Sequence, residues 1–156
     1  DGGFVVRAVV QRVSHCSVTV DGEISGKINA GLLVLLGVAP EDSQKDLDYI
    51  VDKVLNMRIF CDENDKMNLS VQDINGDIMA VSQFTLYGDV RKGRRPSFST
   101  SASADVAKKW YEQFVETLRK TYHSGNIATG IFQADMKVEL LNDGPVTILL
   151  DSEKLF

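Results

Sequence analysis

The chain has 156 residues, 44% of them hydrophobic, which is enough for one domain with a substantial core. The charged fraction of 25% is ordinary, and a net charge of −5 argues against a surface built throughout to bind nucleic acid. No apolar run reaches the roughly 18–20 residues of a membrane-spanning helix, and two Cys with two His are too few for a zinc site of the usual kind.

DGGFV (1–5) reads as a tag remnant or a frayed end, without a signal-peptide layout, so the domain is taken as 6–156. Residues 6–13, VRAVVQRV, and 14–20, SHCSVTV, are rich in β-formers with partial alternation. DGE (21–23) is a hairpin signal, and ISGKINAG leads to the apolar run GLLVLLGVA (31–39), a buried strand. Pro40-Glu41-Asp42-Ser43 is a break ending in a helix cap. Beyond it Leu47, Ile50, Val51, Val54 and Leu55 share one face of a helix that runs to about Met57.

RIFCDENDKMN (58–68) predicts a short strand and a polar turn, and DIMAVSQFTLYG (77–88) a buried strand. A basic, polar loop follows, DVRKGRRPSFSTSAS (89–103). Ser103 or Asp105 can cap a second helix, with Val106, Trp110, Phe114, Leu118 and Tyr122 stepping by four. His123-Ser124-Gly125-Asn126 closes it. Three more short strands are expected near 127–132, 135–142 and 146–151.

Two helices are too few for a doubly wound sheet. The expected fold is α/β: a single compact domain of mixed or curled β-sheet layers, with the two main helices packed on the outer face, a three-layer α/β/β arrangement. Several strands are apolar on both faces, which calls for a second sheet layer or a subunit interface. Cys16 and Cys61, isolated and without a secretory signal, read as buried, inert thiols in a reducing cytosol.

Three stretches carry candidate chemistry. In SQFT (82–85), Ser82, Gln83 and Thr85 lie in or at the end of an apolar strand, where polar groups need hydrogen-bond partners. They either satisfy neighbouring strands or line a pocket suited to a carbonyl that gains charge on attack. A Ser or Thr nucleophile needs a base, and neither His15 nor His123 has a recognisable partner. In RKGRRPSF (91–98), Arg91, Lys92, Arg94 and Arg95 form a local basic cluster on an acidic chain. It is either a solvated loop or a phosphate contact with Phe98 placed to stack on a base. In NDGPVT (142–147), Asn142-Asp143-Gly144 suits a hairpin turn, and Pro145 removes a backbone donor where the next strand begins. A cis Gly144-Pro145 bond would aim two successive carbonyls the same way. Nothing calls for a metal or a cofactor.

SQFTL (82–86), RPSFS (95–99), TGIFQADM (129–136) and NDGPVT (142–147), in this order, together with RAVVQRV (7–13) and GLLVLLGV (31–38), closely resemble the D-aminoacyl-tRNA deacylases. The resemblance runs from about Val6 to the end. It implies a cytoplasmic, homodimeric esterase that cleaves a D-amino acid from the 3′-terminal adenosine of tRNA, a chirality proofreading step in translation. Carried over, Ser82, Gln83, Phe84 and Thr85 are catalytic-pocket residues and Met136 is a pocket wall. Asn142, Gly144, Pro145, Val146 and Thr147 form the chiral selector, with a cis Gly144-Pro145 bond entering the other subunit's active site and Arg12 bracing it. Arg91, Lys92, Arg94, Arg95, Pro96 and Phe98 are assigned to tRNA contact. Rigid carbonyls near the substrate Cα would hold the ammonium and collide with an L-configured Cβ. Glycyl-tRNA, including glycine mischarged on tRNA-Ala, would pass the same filter. The resemblance also suggests that the substrate's 2′-hydroxyl assists, with backbone N–H groups as the oxyanion site. Two other readings are a small-ester hydrolase working through Thr85 or Ser82, and a silent tRNA- or nucleotide-binding module.

Overall fold

The computed structural model describes residues 6–40 and 43–156, so the expectations for residues 1–5 and for Glu41 and Asp42 lie outside the described residues. The longest feature of the sheet is a pair of strands that run side by side. Strand β1 (Arg7–Val20) is one continuous strand, where two segments are expected from the sequence. It turns through Asp21 and Gly22, both at positive φ (51° and 80°), into β2 (Glu23–Ile28). That pair of left-handed residues is what a two-residue hairpin requires, and Asp-Gly supplies it at little cost.

Strand β3 (Gly31–Gly37) continues the return along the same edge of β1, with Val13 opposite Gly31 and Arg7 opposite Gly37. After helix α1 (Gln44–Asn56) come the short strands β4 (Phe60–Cys61) and β5 (Met67–Leu69), and then β6 (Asp77–Ser82). Strand β6 lies parallel to β3, and β7 (Ile127–Thr129) lies parallel to β6. Helix α2 (Ala104–Thr121) connects them. Strand β8 (Lys137–Asp151) pairs with β1 from Arg7 to Thr19. Because Arg7–Gln11 pair with both β3 and β8, those two strands occupy opposite edges of β1. The order β2-β1-β3-β6-β7 curls until β2 leans on β7: a Cβ on Gly26 would fall 2.6 Å from the Thr129 carbonyl oxygen.

Alternation along the strands divides the core in two. Leu32, Val34 and Leu36 of β3 and Ile78 and Ala80 of β6 face the helices. Leu33, Met79 and Val81 face the inside of the curl with Val13, Cys16, Val18 and Ile28. This is the three-layer arrangement expected from strands apolar on both faces. Helix α1 buries the five predicted side chains, and the Asp46 carboxylate accepts the Ser43 N–H and hydroxyl at its start, both at 3.0 Å.

Helix α2 departs from its predicted stripe. Ala107, Tyr111, Phe114 and Leu118 are buried, while Val106 and Trp110 are only half-buried. A strict four-residue step drifts by about 40° per turn of a 3.6-residue helix, so it cannot follow one face for five turns. Each fully buried side chain such as Phe114 or Leu118 contributes about 1.5–3 kcal/mol.

Two further corrections bear on the site. The strand at 77–88 stops at Ser82, and Phe84–Tyr87 form a 3₁₀ turn. The tail holds two strands rather than three, because β8 continues straight through Asn142-Asp143-Gly144-Pro145.

Candidate active site

Ser82 ends β6 opposite Leu36 of β3. The last link of the parallel pair is Gln83 N–H to the Leu36 carbonyl at 2.7 Å. The chain then tightens into the 3₁₀ turn, with Leu86 N–H on the Gln83 carbonyl and Gly88 N–H on the Thr85 carbonyl. Tyr87 anchors the turn from below, its hydroxyl donating to the Gly37 carbonyl at 3.2 Å. The N–H groups of Phe84 and Thr85, first in the turn, donate to no acceptor among the described residues.

Beside this turn lies a cavity of about 520 Å³, within the usual range for small-ligand sites. Ser82, Gln83 and Phe84 form one wall, Phe132 and Met136 another, and Ala102 the rim. Thr85 is exposed outside this lining, and its hydroxyl oxygen accepts the Gln83 side-chain amide. Neither histidine touches the Ser82–Thr85 segment: His15 sits opposite Leu141, and the His123 ring meets the Lys120 carbonyl at 2.9 Å. Phe132 and Ala102 were not singled out from sequence. Phe132 lies inside TGIFQADM, so its signal was present. Ala102 lies in the connecting loop and carries none.

The NDGPVT stretch is a bulge, and the expected chain reversal is absent. Between Gln11 and Val13, β1 advances two residues while β8 advances five, from Thr147 to Asn142, so three extra residues are looped out. The Gly144-Pro145 bond is cis, and both residues are exposed. Arg12, 9% exposed, stands in the gap. Its Nε donates to the Asp143 carbonyl and one terminal nitrogen to the Ile59 carbonyl, both at 2.7 Å. Asn142 closes the neck. Its side-chain oxygen accepts Val146 N–H at 2.7 Å, and its amide donates to the Thr147 hydroxyl at 3.2 Å, which also accepts from Gln11 at 3.2 Å. Gln11 and Ile59 are additions to the predicted set. Ile59 acts through its carbonyl, which no sequence pattern reveals.

Gly144 has φ +146°, and a Cβ there would fall 2.7 Å from Val146 Cγ2 and 2.8 Å from Val146 N. No other residue type fits.

The bulge and the cavity do not meet. Val138, the residue of β8 that lines the cavity, lies four residues of extended chain from Asn142, about 13 Å at the usual rise. None of residues 142–147 lines the cavity.

The basic loop is pinned where Asp89 and Ser97 exchange N–H to carbonyl bonds at 2.8 Å. Arg91, Lys92, Arg94 and Arg95 line an open cleft of about 680 Å³. Pro96 is exposed beside Gly88, and Phe98 packs edge-on against Phe84 with ring centroids 5.0 Å apart instead of standing free for stacking. Of the two thiols, Cys16 is buried as expected and its pKa is pushed up to about 11 by that burial. Cys61 is exposed, contrary to expectation, because in the short strand β4 it alternates with the buried Phe60 and so faces outward.

Fold and cavity define a class of protein: a curled-sheet α/β domain whose pocket, walled by a polar strand end and aromatic side chains, suits a ligand of nucleoside size. A family model described as D-Tyr-tRNA(Tyr) deacylase matches residues 9–151. The D-aminoacyl-tRNA deacylase of Thermosipho melanesiensis is 62% identical over 151 residues, covering 97% of this chain and all of that one. That of Clostridioides difficile is 60% identical over 152 residues with the same coverage. A solved structure named c-Myc DNA Unwinding Element Binding Protein is 48% identical, with TM-score 0.88 over 92% of this chain and 97% of that one. The chain belongs to the D-aminoacyl-tRNA deacylase family and is a hydrolase of that family.

Proposed function

We propose that the protein hydrolyses the ester between a D-amino acid and the 3′-terminal adenosine of tRNA, and that it does so as a homodimer in which each bulge completes the cavity of the other subunit. The family assignment supports the reaction. The observation that carries the shared site is the separation of about 13 Å along β8 between Val138, which lines the cavity, and a bulge bonded to project rigidly from the same strand without lining that cavity.

In this reading the cavity holds the adenosine and its ester, with the N–H groups of Phe84 and Thr85 facing the carbonyl oxygen as it gains charge. Thr85 has no base, and its oxygen is engaged by Gln83, so the attacking water is assisted by the ribose 2′-hydroxyl of the substrate. The partner bulge presents backbone carbonyls next to the substrate Cα. They hold the ammonium and leave no room for an L-configured Cβ, whereas a D side chain points outward. Glycine, without a Cβ, is accepted on the same ground, including glycine mischarged on tRNA-Ala. The setting we assign is cytoplasmic; no helix of the described residues is long and apolar enough to cross a membrane.

Deacylation of D-tyrosyl-tRNA and L-tyrosyl-tRNA by the intact protein is the test, run alongside sedimentation at the assay concentration. D should exceed L by about 100-fold or more, the factor that roughly 3 kcal/mol of clash produces. Equal rates would refute the chiral reading, and a fully active monomer would refute the shared site.

A further inference from the structure

Four of the chain's 17 basic residues fall within residues 91–95, yet their charges are not equivalent. Arg91 is a strut. Its Nε and a terminal nitrogen grip the two oxygens of Asp89 at 3.0 and 2.8 Å, and its backbone N–H adds a third bond at 3.0 Å. The Asp89 carboxyl is held down to about 2, chiefly by the Arg91 side chain and then by the Arg91 N–H. Arg91 therefore has little charge left to offer a ligand. Arg94 and Arg95 are exposed and have no ion pair among the described residues. Lys92 is likewise exposed, and adds only a distant attraction to Asp89.

Such neighbouring cations repel one another, and a polyanion removes that repulsion. The geometry favours one. The Asp89–Ser97 bridge fixes both ends of the tip, so that Lys92, Arg94 and Arg95 face a common open cleft of about 680 Å³. Ser97, Ser99 and Thr100 line the same cleft and offer hydroxyl donors. Phe98, between the lining residues Ser97 and Ser99 in the chain, rests on Phe84, which walls the cavity. The Phe84–Phe98 contact thus ties the loop that carries the cleft to the wall of the cavity.

We infer that Arg94 and Arg95, with Lys92, clamp the phosphodiesters of the unpaired RNA strand immediately preceding the terminal nucleotide, while Arg91 only shapes the loop. The inference rests on the reading that the cavity takes the terminal adenosine ester. A polyanion whose end enters that cavity can lay its preceding phosphates along the loop tied to the cavity wall. The clamp selects esters carried on RNA over free ones and leaves the base sequence unread, because phosphate contacts position without specifying.

The test begins with binding of uncharged tRNA to the intact protein as a function of salt, for the wild type, an Arg94→Gln/Arg95→Gln variant and an Arg91→Gln variant. Losing two phosphate contacts should flatten the slope of log K against log salt by about 1.4, at roughly 0.7 per contact for a single strand. Arg91→Gln should change it by less than one contact's worth. Hydrolysis is then read on D-tyrosyl-tRNA and on 3′-O-D-tyrosyl-adenosine, which keeps ester and base but carries no phosphate. The double variant should lose about tenfold in kcat/KM on the tRNA, the order expected for two contacts at moderate salt, and far less on the nucleoside. An unchanged salt slope, or equal losses on both substrates, overturns the clamp. A wild-type protein that hydrolyses neither substrate sinks the deacylase reading instead, and the slope with uncharged tRNA still decides the clamp.

Discussion

The bulge at 142–147 and the loop at 89–100 are both polar excursions from an apolar framework, and they are held in opposite ways. The bulge is bonded at every level: two carbonyls take the bonds of Arg12 at its base, and Asn142 ties across its neck. The loop is pinned by one backbone bridge, one ion pair and one ring contact, and its cationic tip is left to solvent. A segment that must exclude the wrong stereoisomer has to keep its atoms in place, since a clash is worth only as much as the wall is stiff. A segment that attracts a flexible polyanion works through charge, which tolerates movement. Substitutions in the bulge should act sharply, and those in the loop by degrees.

The largest effect is expected from Gly144→Ala. The added methyl meets Val146 Cγ2 and N at 2.7 and 2.8 Å, at a φ of +146° that L residues avoid, so the bulge must rearrange. Deacylation should fall by about 100-fold or more, the equivalent of roughly 3 kcal/mol. The far-ultraviolet circular dichroism should stay the same, because β1 and β8 pair on both sides of the bulge. A variant with near-normal turnover would show that the bulge is not part of the site.

Arg12→Ala comes next, and it separates the brace from the tip. It orphans the carbonyls of Asp143 and Ile59, each losing a bond to a charged donor worth about 1.5–3 kcal/mol. At about 2–4 °C per kcal/mol for a domain of this size, Tm should drop by roughly 10 °C. The D-over-L ratio should fall further than the rate on the D substrate. Arg12→Lys should rescue little, since a single ammonium cannot span both carbonyls as the guanidinium fork does. Thermal unfolding with paired D and L assays checks both statements.

The contrast also explains what was legible in the sequence. Helix α1 was readable because Leu47, Ile50, Val51, Val54 and Leu55 keep one helical face. The two-layered core was readable because the interiors of β3 (LLVLL, 32–36) and β6 (IMAV, 78–81) are apolar on both faces. The bulge was not. Asn-Asp-Gly-Pro carries every local signal for a reversal, and what overrides them is the long-range pairing of β8 with β1 and the Arg12 bonds. Ser82, Gln83, Phe84 and Met136 line one cavity, while Thr85 stands outside its lining. The distance from cavity to bulge depends on strand register, which no motif encodes. For the loop, residue types revealed the excess charge, but only coordinates show that Asp89 takes Arg91 out of it.

Thr85→Ala probes the turn beside the cavity. If the substrate's own hydroxyl assists the attack, the variant loses only the contact with Gln83 and the order it lends the turn. Activity should stay within about tenfold of the wild type, the range of one neutral hydrogen bond. Complete loss with tRNA binding intact, or a trapped acyl group on Thr85, would assign the nucleophile to the protein.

The smallest effect concerns the loop's own strut. The Asp89 carboxyl titrates at about 2 in the folded protein against an ordinary value near 3.8, held down by the Arg91 side chain first and by its N–H next. A depressed carboxylate contributes above its unfolded pKa and loses that contribution as pH falls through the folded value. The Asp89–Arg91 pair is therefore complete throughout pH 5–9, and the loop should impose no step on the pH profile of tRNA binding in that window. Carboxyl NMR of Asp89 should give a midpoint near 2, returning toward 3.8 in Arg91→Gln. A wild-type midpoint already near 3.8 would mean that Arg91 is not engaged, and would return it to the set of cations available to phosphate. In the bulge, by contrast, Asp143 carries the only titrating side chain of residues 142–147, and Arg12 grips its backbone carbonyl at 2.7 Å while its carboxylate stands 3.9 Å away. The bulge's hold on Val146 is an amide bond that acid leaves in place until the sheet around it unfolds.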